Sequence, residues 1–310
     1  MFNFKITLLN KMKKKAIILS KLKSILIVCT FFCLWLSVFF ADTIEDSLAF
    51  ILILTIGIFH GTSDIGIIQN LSHTKKNIIH LQVALSYLFI IILATVLFTY
   101  LPAFALGLFI IVSAYHFGEQ HWSSYFTNIT IWSALHFTLY GMVILFSLFF
   151  LNYKEVFIII KDITSYGLSS DFFGYIWVIS SGLLVVLTLF LLKTKKLRMF
   201  NIILELFYLL IFLIVFKTAS LLWAFAIYFI FWHSIPSIVD QVQFLYGGTK
   251  KEDFVKYAKS SLLYWVISIF GLGILYFIFK DQKEIFLSIF FISIAAITFP
   301  HVWVMSRLNK

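Results

Sequence analysis

The chain is poor in charge, proline and cysteine. Of its 310 residues only 12% are Asp, Glu, Lys or Arg, against about 25% in a soluble domain, so a water-exposed fold with an ordinary polar surface is excluded. Three prolines leave long stretches without a helix breaker. The two cysteines, Cys29 and Cys33, lie one helical turn apart in a single apolar run, which excludes a disulfide framework and leaves them as small apolar residues. No two histidines are adjacent, which argues against the paired-histidine boxes of a membrane desaturase. The formal net charge of +10 does not mark a nucleic-acid surface, because most Lys and Arg fall in short segments between apolar runs and form no basic face.

What remains is apolar bulk: 62% hydrophobic residues, with 38 Phe. Apolar runs fall at about 24–41, 47–65, 80–101, 103–120, 129–151, 172–192, 200–216, 220–236, 261–279 and 285–305. Each is close to the ~20 residues that cross a ~30 Å hydrocarbon core. The run at 24–41 is too long for a signal-peptide core and has no clear cleavage site, so it reads as the first span. The expected fold is therefore all-α, a single integral membrane domain over residues 1–310 with about ten transmembrane helices. Residues 1–23 form a basic cytoplasmic segment, and both termini are cytoplasmic. In that orientation 19 of the 24 Lys and Arg fall on the cytoplasmic side, a strong positive-inside bias. The segments 152–171 and 237–260 read as interfacial helices or ordered loops. The division at Lys217–Ser220 is the shortest in the map.

Ionisable residues inside a bilayer are costly and mark function by default. His60, His116 and His233 each lie 13 residues from the outer start of their spans (Ser47, Ala103 and Ser220), which is ~20 Å of helix. His301 lies 16 residues beyond Ile285, or ~24 Å. Any one of these alone reads as a histidine bonded to a neighbouring helix. Four on four helices at one depth, in the cytoplasmic half, point to a shared metal such as iron, zinc or copper. Metal-bound imidazoles hand their second nitrogen to a carboxylate or carbonyl. Asp64, four residues after His60, Glu119, three after His116, and Asp240, seven after His233, are placed to serve, and Glu205 is a further candidate. His121 at the interface and His136 in the fifth span are alternative ligands, whereas His73 and His80 lie in or beside a loop and read as solvated. Gly57, Gly61 and Gly118 flank the histidines and allow close helix approach. Pro300 is expected to kink the last helix beside His301 and free a carbonyl near Ala296.

Four short motifs appear in order: His60-Gly61-Thr62-Ser63-Asp64, His116-Phe117-Gly118, Trp232-His233-Ser234-Ile235-Pro236, and Pro300-His301. In these the chain resembles the Brp/Blh family of bacterial and archaeal β-carotene 15,15′-dioxygenases, which are polytopic membrane enzymes. The resemblance implies a non-haem Fe(II) enzyme that splits the central double bond of all-trans-β-carotene with O2 to give two molecules of all-trans-retinal. It implies His60, His116 and His233 as iron ligands, with His301 as the fourth and Asp64 and Glu119 behind them. No catalytic acid or base is required. It further implies a multi-pass protein of the cell (inner) membrane, a lipid-soluble carotenoid substrate taken from the surrounding lipid, and hand-over of retinal to a rhodopsin. The chain departs from the family at Ser237, where a second histidine commonly follows the third motif and is regarded as a ligand. His301, His121 or His136 can fill that coordination position, or the chain is a divergent carotenoid oxygenase with another substrate. Two other readings are a membrane haem protein with paired axial histidines and a proton-coupled transporter, although no inverted repeats are visible.

Overall fold

A computed structural model describes residues 21–71, 77–126, 128–281 and 283–308. The basic segment up to residue 20, together with His73, Lys75 and Lys76, lies outside the described residues, as does the side chain of His80. The described chain is helical, with no strand among its residues. In chain order the helices are α1 (21–37), α2 (Asp42–Leu71), α3 (Asn77–Tyr100), α4 (Pro102–Trp122) and α5 (Ile131–Leu151). They continue as α6 (Tyr153–Thr164), α7 (Ser170–Lys193), α8 (Met199–Thr218), α9 (Leu221–Tyr246), α10 (Lys251–Phe279) and α11 (Lys283–Leu308). Among the described residues eight helices are long and apolar enough to cross a membrane, namely α2, α4, α5 and α7 to α11. Helices α1 and α3 lie where the other two expected spans were placed.

The apolar faces meet water-free neighbours on one side and present exposed Phe, Ile, Leu and Val on the other, as a lipid-facing bundle does. Two interfaces fix the level of the histidines. At one end of the bundle the carboxylates of Glu45 and Asp46 clasp the start of α9. The backbone N–H of Ser220 donates to Glu45 Oε2 (2.9 Å) and its hydroxyl to Asp46 Oδ1 (2.9 Å). Negative charge at a helix N-terminus is favourable, and the clasp sets the register of α2 against α9. His60 and His233 then fall at comparable depth because each lies 13 to 15 residues beyond the clasp, ~20 Å of helix. The second interface joins α4 and α5. A Cβ on Gly118 would meet the Phe137 carbonyl oxygen at 1.8 Å, and one on Gly141 would meet that of Ala114 at 1.9 Å, so the two backbones touch. Gly57 is tight against the Phe229 side chain (3.0 Å), whereas Gly61 meets only His301 Nδ1, at an ordinary 3.8 Å.

The helix ends and interior breaks refine the expected map. Residues 237–260 do not form a separate interfacial segment: α9 runs on to Tyr246 and α10 begins at Lys251. Pro236 does not end α9, because it sits in the first turn after a π-helical stretch, Tyr228–Ser234, where its missing N–H costs little. Gly247, at φ 75°, ends the helix. Helix α2 carries a π-helical stretch too, at Ile53–Gly57, and turns at residues 62–63 before restarting at Asp64. Helix α11 continues through Pro300. The break at Lys217–Ser220 is real: Ala219 is extended and the Ser220 hydroxyl caps α9 by accepting from Trp223 N–H (3.4 Å).

Candidate metal centre

The fold brings His60, His116, His233 and His301 together from α2, α4, α9 and α11. Ring centroids are 5.1 Å apart for His60–His233, 4.8 Å for His60–His301, 4.7 Å for His116–His233 and 5.2 Å for His116–His301. All four side chains are buried. Nitrogens of His60, His233 and His301 lie within 4.8 Å of one another, a spacing that can hold one metal ion.

Each ring is oriented from behind in its own way. The Nδ1–H of His301 donates to the Asp64 carboxylate (3.0 and 2.9 Å), which also accepts from the Tyr87 hydroxyl (2.9 Å). That leaves His301 Nε2 buried without a hydrogen-bond partner among the described residues. His60 Nδ1–H donates to the Gly57 carbonyl at the end of the π-helical stretch. The stretch leaves the Leu54 carbonyl to accept from Trp265 Nε1 (2.9 Å), which ties α10 to the turn that carries His60. π-Helical turns recur at functional sites because they re-aim a side chain, and His233 itself lies in the second of them. Neither nitrogen of His116, nor Nδ1 of His233, has a hydrogen-bond partner among the described residues. Buried polar nitrogens left unpaired cost about 1–3 kcal/mol each, and a metal ion is the species that several convergent imidazoles can share.

The carboxylates are arranged differently from the simple pairing by sequence spacing. Asp64 serves His301 and not His60, because the turn at residues 62–63 breaks the helix face the two would have shared. Glu119 accepts from the Tyr115 hydroxyl (3.0 Å), and Asp240 accepts from Gln120 (3.4 Å). Neither reaches the unpartnered nitrogens of His116 or His233 Nδ1. Glu205 belongs to a second polar centre. It accepts from His121 Nδ1–H (2.9 Å), Tyr140 (2.8 Å), Tyr125 (3.1 Å) and Lys23 (3.0 Å). His136 donates through Nε2 to the Thr188 hydroxyl (3.1 Å). So His121 and His136, the alternative ligands, are engaged elsewhere.

Ser237 lies one turn beyond His233, buried, with its Oγ accepting from Gln241 Nε2 (3.2 Å). Gln241 was not singled out from sequence. Its Oε1 accepts from Ser63 (2.7 Å) and Tyr257 (2.6 Å), and its Nε2 also reaches Met305 Sδ (3.3 Å). This amide ties α2, α9, α10 and α11 together beside the histidines, three of those helices carrying one each. Its helix extension also carries Ser237, Asp240 and Gln243, so nothing in the local sequence set this amide apart.

A cavity opens from the four histidines and is otherwise lined almost wholly by Ile, Leu, Phe, Val and Ala, with Ser113, Ser293 and Thr298 as the other polar side chains. It admits an apolar molecule to the imidazole cluster and little else. Residues 51–309 match the family described as beta-carotene 15,15′-dioxygenase. The chain belongs to the β-carotene 15,15′-dioxygenase family. The match spans all four histidine motifs, from α2 to α11. No curated protein and no solved structure matched the chain. For a β-carotene dioxygenase family member, a buried histidine cluster at the end of a hydrocarbon-lined cavity is the arrangement that cleavage of a lipid-soluble polyene needs.

Proposed function

We propose that this chain is an Fe(II)-dependent dioxygenase of the cell (inner) membrane that cleaves the central double bond of all-trans-β-carotene with O2, giving two molecules of all-trans-retinal. His60, His116, His233 and His301 hold the iron. The observation that carries this reading is the convergence of four buried imidazoles at one end of an apolar cavity, three of them with nitrogens that have no hydrogen-bond partner among the described residues. Bound there, Fe(II) supplies the one-electron chemistry that makes O2 reactive towards a carbon–carbon double bond.

The chain's own residues do the rest. Asp64, held by Tyr87, fixes the tautomer of His301 so that Nε2 faces the cluster, and the Gly57 carbonyl does the same for His60. The apolar lining excludes water and holds the polyene by burial alone. No general acid or base is called for, since each half of the substrate leaves as a neutral aldehyde. Retinal departs through lipid, and a rhodopsin apoprotein is its natural acceptor. The haem reading fits less well, because four rings about 5 Å apart leave no slot for a macrocycle between two of them.

The direct test is purified protein in detergent, loaded anaerobically with Fe(II) and given β-carotene and O2. Consumption of one O2 per two retinals is the expected result. Iron-loaded, folded protein that leaves β-carotene intact would overturn the proposal. Two substitutions refine it. Asp64→Asn is expected to lower iron affinity or turnover by about 10–100-fold, since an amide cannot orient and polarise His301 as a carboxylate does; iron content per protein measures this. Ser237→Ala is expected to leave iron content unchanged while costing about 1 kcal/mol of stability, because Ser237 is bonded to Gln241. Loss of iron on Ser237→Ala would instead make Ser237 a ligand.

A further inference from the structure

A short helix forms part of the cavity wall, next to the end of α5 remote from the histidines. On α4 the lining runs from His116 back to Leu106, and on α11 from His301 back to Phe291; each stretch of ten residues is about 15 Å of helix. That is comparable with one half of β-carotene, from the central double bond to the ring. That short helix is α6. Val156 and Ile160 are buried, Ile159 and Ile163 partly so, and all four line the cavity. They share one helix face by their i, i+3, i+4, i+7 spacing. Lys154, Glu155, Lys161 and Asp162 are exposed on the other.

The wall is held firmly. Asn152, at its start, donates from Nδ2 to the carbonyls of Leu148 and Phe216 (3.0 Å each), fastening it to α5 and α8. Ser165, at φ 63°, ends it, and Thr164 bonds back to the Ile160 carbonyl (2.7 Å). A side chain here cannot give way without moving a fastened element. The wall is therefore placed to set how far a rigid polyene can enter.

We propose that α6 is the measuring wall of the substrate site. Resting on the carotenoid reading above, one hydrocarbon ring seats against Val156 and Ile160, and the fixed distance from that seat to the histidines selects the central double bond. Each cleavage breaks one carbon–carbon double bond, consumes one O2 and leaves one carbonyl on each former alkene carbon. If the seat moves, the same balance holds at a neighbouring double bond: cleavage one double bond away yields β-apo-13-carotenone and β-apo-14′-carotenal in place of two retinals.

The experiment compares product mixtures from β-carotene in three variants. Wild-type retinal formation, read first, tests the function itself and separates its failure from that of the wall. Ile160→Trp fills the seat and is expected to lower kcat/KM for retinal formation at least about tenfold, with the unequal product pair appearing. Ile160→Ala enlarges the seat without overpacking and is expected to give the unequal pair beside retinal. Ile158→Trp adds the same bulk to the exposed face and is expected to behave as wild type. Retinal as sole product at wild-type rate from both Ile160 variants would overturn the assignment. So would equal effects of Ile158→Trp and Ile160→Trp.

Discussion

A β-carotene-producing bacterial host stays orange when it expresses His60→Ala, and loses its colour as retinal accumulates when it expresses the wild-type chain. That is the largest effect expected of any single substitution. His60 lies within 5.1 Å of His233 and 4.8 Å of His301, ring to ring, and its nitrogen is one of three that lie close enough to share an ion. Its removal leaves the remaining imidazoles buried and under-coordinated. Retinal is expected to fall below detection and iron to be absent from the purified variant. His136→Ala is the matched control, because that equally buried imidazole bonds Thr188. It is expected to keep its iron and its product. Loss of iron from His136→Ala but not from His60→Ala would move the metal to the opposite side of α4.

The second large effect is steric. Gly118→Ala places a methyl carbon 1.8 Å from the Phe137 carbonyl oxygen, so α4 and α5 must part by more than about 1 Å before the contact is even tolerable. The displacement falls two residues from His116. Misplacement of about 1 Å at a reacting centre can cost ~10²-fold in rate. A sharp fall in folded yield is expected, and in whatever folds a loss of activity of that order. Gly107→Ala, on the same helix with nothing within 4 Å of its added carbon, is expected to be silent. Yield by fluorescence-detected size exclusion and retinal formation by chromatography give both readings from one preparation.

Much of the site could be read by counting. Span starts at Ser47, Ala103 and Ser220 place three histidines at one depth because helix rise is constant, and the structure gathers those three with His301. The carboxylate Asp64 was legible as a partner, but its histidine was not. Assigning it to His60 assumes an unbroken helix, and the turn at residues 62–63 has no proline or hydrophobic phase shift to announce it. The two π-helical stretches leave no compositional mark either, apart from Pro236, whose lost N–H is accommodated by one of them. Gln241, bonded to Ser63 and Met305, and Tyr257, bonded to the His60 carbonyl, act through contacts between helices distant in sequence, which periodicity within one helix does not reach. Gly118 stood beside a histidine and drew notice, whereas Gly141, which makes the reciprocal contact, stood beside none. Helix α6 appeared only as an interfacial segment, since its amphipathic face says that something apolar lies beneath it without saying what.

The carboxylate of Glu205 has a consequence for how the protein is made. Its four donors, on Lys23, His121, Tyr125 and Tyr140, are all earlier in the chain. During synthesis the first five helices therefore enter the bilayer carrying an ammonium, an imidazole and two phenols arranged for an anion that has yet to be translated. Until residue 205 is made these groups lack the acceptor they share in the finished fold, while α4 and α5 can already meet through Gly118 and Gly141. Helix α8 supplies that acceptor. The polar centre is thus completed by one acidic residue outside the histidine cluster, translated after all four of its donors.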